Sequence, residues 1–271
     1  MDGTAMRNKF FNPVYLLISL IGIACGANFY TIQQDRQLGD DIDREIKAAP
    51  KEYPPYNNEQ VRSYVQNIVN TIVRSPEVKY KGTFAYKVTM INDDRTVNAF
   101  ATPGGYIYVY TGLLRFCENE AMLAGVLAHE IAHAEERHGT EHMTRDNIAS
   151  TGLSIALGSN PSEVAKIAAS SANLLASLAN SREDELEADT KGFTYLRSTS
   201  WWPGGIKLFF QKMLDQQKRG TAFFEAWLST HPAPEDRVAN MEKLMKENQT
   251  PAPTEDNLMT SNYRSMLRSM R

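Results

Sequence analysis

The chain has 271 residues, a net charge of −3, and a composition that is 42% hydrophobic and 23% charged. That length can bury one substantial core, and the small net charge gives no electrostatic reason to expect a nucleic-acid partner. Two cysteines, Cys25 and Cys117, are too few for a disulfide framework.

Residues 1–26 read as an export segment. Arg7 and Lys9 supply positive charge, and FFNPVYLLISLIGIACG is apolar apart from Asn12 and Ser19. Three outcomes stay open: lipid on Cys25, ordinary cleavage after Gly26, or an uncleaved anchor, for which the run is short and carries Pro13. Each places the folded part in the periplasm or cell envelope, and the first and third attach it to a membrane.

Residues 27–58 read as a polar, exposed helix over DRQLGDDIDREIKA, stopped by Pro50, and a linker, KEYPPYNN. In residues 59–248 the pattern becomes that of a compact unit. Val61, Tyr64, Val65, Ile68, Val69 and Ile72 fall at helical spacing, and TFAYKVTMI alternates as a strand does. VNAFATPGGYIYVYTGLL reads as two short strands joined by TPGG, and from Asn119 onward the chain is mostly helical. The Ala/Ser-rich residues 164–180 read as a packed helix rather than a membrane span, because Lys166 and Asn173 interrupt them. Residues 249–271 are a linker and a short, basic, amphipathic tail. The order of helix, small sheet and many helices is an α+β layout.

Four of the five histidines lie in HEIAHAEERHGTEH, from His129 to His142. His129 and His133 are one helical turn apart, so they project from one face and can grip one ion. Neutral imidazoles suit Zn2+ at about 2.0–2.1 Å. Glu130 is turned about 100° from His129 on the wheel, within reach of a water on the metal without being a ligand. Two imidazoles and a carboxylate in an apolar helix would be costly without a metal. His138, nine residues after His129, falls half a turn off the ligand face and is expected to point away from the metal. His142 lies beyond Gly139, where a helix commonly ends; both read as surface or structural histidines. Glu136 stands almost a full turn beyond His133, poorly placed to share its ion. Further on, in NSREDELEADTKG, Glu185 and Asp189 share one helical face, with Glu183 and Glu187 nearby. Periodicity does not choose a ligand among them. Cys117, just before the metal helix, reads as a small buried thiol.

HEIAH followed by SREDELEAD resembles the zincin peptidases of family forty-eight. The family's distal motif E-x-x-A-D falls on Glu185, Ala188 and Asp189, and the likeness runs from about residue 59 to about residue 245. VNAFATPGGYIYVYTGLL resembles the segment before the family's metal helix, and STHPAPEDRV its H-P-x-x-x-x-R segment. The resemblance implies a mainly helical zincin domain with a small sheet beside the active-site helix. It implies one Zn2+ per chain, held by His129, His133 and Glu185, with Asp189 orienting a ligand. It also implies polypeptide substrates laid along an exposed edge strand at Asn98 and Ala99, and Glu130 as general base. His231 has two readings: a donor to the oxyanion, or the occupant of the fourth metal position in a resting state. Arg237 reads as an anchor for that loop, a partner for anionic charge, or an ordinary surface residue. The closer likeness is to the family's single-anchor periplasmic branch, which implies misfolded or unassembled envelope proteins as substrates. The rival reading, a non-catalytic metal-stabilised assembly factor, has the intact Glu130 against it.

Overall fold

The computed structural model describes residues 28–145, 180–219, 224–232 and 234–270. Residues 1–26, read as an export segment, and the Ala/Ser-rich residues 164–179 lie outside the described residues. Among the described residues no helix is long and apolar enough to cross a membrane.

The chain enters through α1 (Ile32–Ala48), started by a capping box in which the Thr31 hydroxyl accepts from Gln34 N and the Gln34 side chain reaches back to Thr31 N. Helix α2 (Glu59–Val73) follows, its N-cap Asn58 accepting from Val61 N. Three strands then form one sheet: β1 (Lys87–Ile91), β2 (Ala99–Thr102) and β3 (Tyr106–Tyr110), in the order β1-β3-β2. β1 runs parallel to β3 and β2 antiparallel to it. A 3-10 turn, Pro103–Gly105, joins β2 to β3, with Gly104 at φ 77 supplying the left-handed step. The strand read over TFAYKVTMI is thus shorter than its alternation, because Tyr86, at φ 41, breaks the extended run.

The sheet is covered on both faces. Val88, Met90, Ala99, Ile107 and Val109 face the main core, while Ile91, Phe100 and Tyr108 meet Ile42 and Ile46 of α1. The expectation of an exposed first helix is therefore corrected: α1 buries Asp35, Gly39, Ile42, Asp43 and Ile46. These positions form a helical stripe, but its polar members disguise it. Each acid has a partner: the Tyr108 hydroxyl donates to Asp43 Oδ1 at 3.0 Å, and Asp35 pairs with Arg137.

After the single turns of α3 (Thr111–Phe116), the central helix α4 (Glu120–Glu136) runs through the core, buried at every position from Glu120 to Glu135. Against it pack α5 (Arg182–Leu196) and α6 (Gly205–Lys218); α7 (Glu225–Thr230) follows, and α8 (Pro234–Glu247) packs on α5 and α6. Helices α4 and α6 approach so closely that a Cβ on Gly205 would lie 1.9 Å from the Ala121 carbonyl oxygen, and one on Gly125 2.3 Å from Ile206 N. Gly205→Val should therefore cost at least about 1–3 kcal/mol through forced separation of the helices, read as a lowered Tm; an unchanged Tm would mean that the two backbones are not in contact.

The C-terminal segment is part of the core. It forms α9 (Glu255–Leu258) and α10 (Thr260–Arg268), and Tyr263, fully buried, donates its hydroxyl to the Leu114 carbonyl at 2.6 Å. Asn58 Nδ2 donates to the Ser269 carbonyl and Arg115 to that of Met270.

Candidate metal centre

Helix α4 aligns the three residues of the central motif. Its N-cap, Asn119, accepts from Met122 N at 2.9 Å, and the first-turn Glu120 receives Trp201 Nε1 at 2.8 Å and the Tyr64 hydroxyl. Toward the other end Glu135, 1% exposed, accepts from Lys79 N, Tyr80 N and the Tyr86 hydroxyl. With its ends tied, α4 holds His129, Glu130 and His133 at 0%, 1% and 7% exposure.

Helix α5 begins at a capping box between Ser181 and Asp184 and presents Glu185 and Asp189 to α4. Glu183 and Glu187 lie on its exposed side. His129 Nε2 stands 2.9 Å from His133 Nε2 and 3.4 Å from Glu185 Oε2, and Glu185 Oε1 is 3.3 Å from His133 Nε2. His231, the C-cap of α7, completes the group: its Nδ1 lies 2.9 Å from Glu185 Oε1 and 3.3 Å from His129 Nε2. The four residues each offer one ligand atom, all within 4.8 Å of one another. Four donors around an ion at about 2.0–2.1 Å stand about 3.3 Å apart in a tetrahedron. The contacts that His129 and Glu185 make with the other donors, 2.9–3.4 Å, lie near that spacing, so the donor set fits a metal of this kind.

Asp189 stands directly behind this set. Its Oδ1 is 3.0 Å from His129 Nδ1, a contact that favours a proton on that nitrogen over the Arg237 Nη2 donor 3.1 Å away and suits Nε2 to an ion. Arg237, from α8, grips Asp189 through two parallel bonds, Nε to Oδ2 at 2.8 Å and Nη2 to Oδ1 at 2.7 Å, and its Nη1 lies 2.6 Å from Glu185 Oε2. At 1% exposure, stacked on the Phe210 ring, it is far from an ordinary surface arginine. Burial pushes the Glu185 carboxyl up, but His231 and Arg237 pull it well below the usual range; at Asp189 the Arg237 charge likewise overrides burial. Burial and Arg237 press His129 down, yet Glu185 and Asp189 hold it up to about 9. Burial drives His133 well below its usual value, assisted by the His129 charge.

Glu130 is set apart from the donors. Ala101 N, on β2, donates to its Oε2 at 3.0 Å, while Oε1 faces His231 Nε2 at 3.4 Å without a hydrogen bond. Burial raises its pKa. A cleft lined by Ala101, Asp35, Glu130, His133, Asn180 and His231 leads to this carboxylate.

Three expectations need correction. The strand at Asn98 and Ala99 lies at the sheet edge, but both residues are buried, at 7% and 0% exposure. The Asn98 carbonyl accepts from Tyr110 N, facing the sheet interior, so alternation turns Ala99 and Ala101 toward the free edge. His138 does not point away: it is buried, and its Nδ1 lies 2.8 Å from His133 Nδ1. Helix α4 ends at Glu136, Arg137 steps into the left-handed region at φ 63, and residues 138–145 start a new helix, so angles counted along one axis do not apply. Nor does Gly139 end a helix; His142 sits half-buried on the new one. Glu136 instead pairs with Lys79 and Lys191, and Cys117 is buried, its thiol pushed up to about 12 by desolvation. Sequence reasoning missed Asn180, whose Nδ2 lies 3.4 Å from His133 Nε2, and Asp35; no local pattern marks either.

H-E-x-x-H on a central helix, with a distal glutamate beside its two histidines, is the arrangement of zincin-type metallopeptidases. The chain belongs to Peptidase family M48, whose model matches residues 59–245. It is 32% identical over 230 residues to the β-barrel assembly-enhancing protease of Escherichia coli (strain K12), an alignment covering 81% of this chain and 45% of that one. It is 30% identical over 237 residues to a putative β-barrel assembly-enhancing protease of Vibrio cholerae, covering 84% of this chain and 47% of the relative. It is also 27% identical over 232 residues to the mitochondrial metalloendopeptidase OMA1 of Schizosaccharomyces pombe, covering 84% and 66%. The chain thus spans about half the length of the bacterial relatives it matches, 45% of the E. coli protein.

Proposed function

We propose that the chain is a zinc-dependent endopeptidase held in a resting state by His231. The carrying observation is that a buried carboxylate, Glu130, stands beside a complete donor set and an edge strand at once. His129, His133 and Glu185 would hold one Zn2+. When bound, the ion supplies Lewis acidity for a scissile carbonyl and for a water molecule.

The chain's own residues do the rest. Ala101, half-buried on the free edge beside Glu130, offers backbone groups to which an extended polypeptide can add as a further strand, a mode that reads backbone rather than side chains. Ala101 N would exchange its bond to Glu130 for one to substrate. Glu130, its basicity raised by burial, accepts a proton from the attacking water and delivers it to the leaving amine. Asp189 and Arg237 keep His129 in one tautomer throughout.

His231 is read as the fourth ligand of the resting site because its Nδ1 approaches Glu185 and His129 as closely as the other donors approach one another. It is held there by stacking on Trp227, ring centroids 4.3 Å apart. By likeness to the bacterial relatives, and by the reading of residues 1–26, we take the substrates to be unassembled or misfolded envelope proteins reached from a membrane-attached position. The test is cleavage of unfolded casein by protein carrying one zinc per chain. His231→Ala should raise the rate, and a chelator should abolish it. A fall in kcat would assign His231 to the oxyanion instead; a rate unchanged by both treatments would reject the metal and the latch together.

A further inference from the structure

His138 has no part in that chemistry, yet it is 1% exposed and packs edge-on against His133, Nδ1 to Nδ1 at 2.8 Å. Two ring nitrogens at that distance share one proton: one donates and the other accepts. The roles are not interchangeable. His133 turns Nε2 into the donor cluster, 2.9 Å from His129 Nε2 and 3.3 Å from Glu185 Oε1. A nitrogen that gives its lone pair to a metal carries no proton, so the neutral His133 ring keeps its proton on Nδ1 and must be the donor. His138 is then the acceptor at Nδ1, and its own proton sits on Nε2. That atom is buried without a hydrogen-bond partner and faces Glu187 Oε2 at 3.6 Å. Glu187 is half-exposed, 49% at the side chain, so it can rotate into hydrogen-bond range.

The backbone is arranged for this contact. The left-handed step at Arg137 turns the chain back on α4, and the Arg137 guanidinium is tied to Asp35 and to the Tyr30 carbonyl. Asn28 Nδ2 donates to Thr140 Oγ1 at 2.9 Å and Phe29 N to Thr144 Oγ1 at 3.2 Å. The segment before α1 thus pins the turn and the helix that carries His138.

We propose that His138 is a positioning residue for the metal ligand His133: it accepts the Nδ1 proton, fixing the tautomer and the ring plane that aim Nε2 at the ion, and Glu187 ends the chain of bonds. This rests on the reading of His133 as a ligand. The test is Zn2+ affinity, measured by competition with a chromophoric chelator on the full chain, for the parent, His138→Ala, His138→Gln and His133→Ala. His138→Ala removes the acceptor and should weaken zinc about 10–100-fold. His138→Gln keeps an amide oxygen able to accept and should recover most of that loss. In the zinc-loaded parent, ring-nitrogen NMR should find the proton on Nδ1 of His133 and on Nε2 of His138. Parent-like affinity in His138→Ala overturns the proposal and leaves His133 a ligand. Equal weakness of the Ala and Gln variants overturns the hydrogen bond as the cause. Parent-like affinity in His133→Ala removes the ligand reading and this proposal with it.

Discussion

Glu130→Gln should leave zinc bound and abolish proteolysis. The substitution keeps shape and lets the amide still accept from Ala101 N, but it removes the base. General-base catalysis contributes about 10²–10⁴-fold, and the loss should fall in kcat rather than KM, because the proton transfer is made only in the transition state; zinc should stay because Glu130 is not in the donor set. The comparison belongs in the His231→Ala background, so that the resting contact does not mask the difference. Zinc content is measured on the same samples. A Glu130→Gln protein that cleaves casein as fast as its parent would sink the mechanism; one that has lost its zinc would reassign Glu130 to the donor set. Should no form of the protein cleave anything, the metal-stabilised assembly factor becomes the better reading.

Arg237→Met is expected to be the most destabilising single change at the site. The guanidinium lies 1% exposed between Asp189 and Glu185, themselves each 1% exposed. Removing it strands two buried carboxylates, and breaking a buried pair in this way costs about 3–5 kcal/mol. Urea denaturation of the metal-free protein reads the loss directly. Adding Asp189→Asn should return part of it, because one of the stranded charges disappears, so the double variant should lie well short of the sum. A loss under about 1 kcal/mol for Arg237→Met would place the group at a solvated surface, where ion pairs are worth no more than that.

The parts of this site that the sequence reveals are those that depend on one helix at a time. His129 and His133 share a face of α4 because four residues make about one turn, and Glu185 and Asp189 share a face of α5 for the same reason. The α+β order could be read because strand and helix periodicities differ. What escaped reading depends on where a helix stops or on what meets it from afar. The place of His138 is not legible because Arg137, a residue with no special liking for the left-handed region, takes that conformation without a glycine to signal it. Arg237 is 48 residues from Asp189, and its spacing says nothing of burial. The inner face of α1 went unseen because its stripe includes Asp35, Gly39 and Asp43, whose burial is possible only with partners on other elements.

The bond from Asn58 to Ser269 joins residues 211 positions apart, and it caps the entry of α2 with the exit of α10. Every candidate ligand, from His129 to His231, is synthesised before Tyr263 exists to fill its place beneath Leu114. The order of synthesis therefore separates making the donors from finishing the core around them. Closing so long a loop is entropically slow relative to local helix formation, so the core around the donor cluster should close as one of the last events of folding. If the proposed proteolytic role holds, this is a delay between being made and becoming able to act.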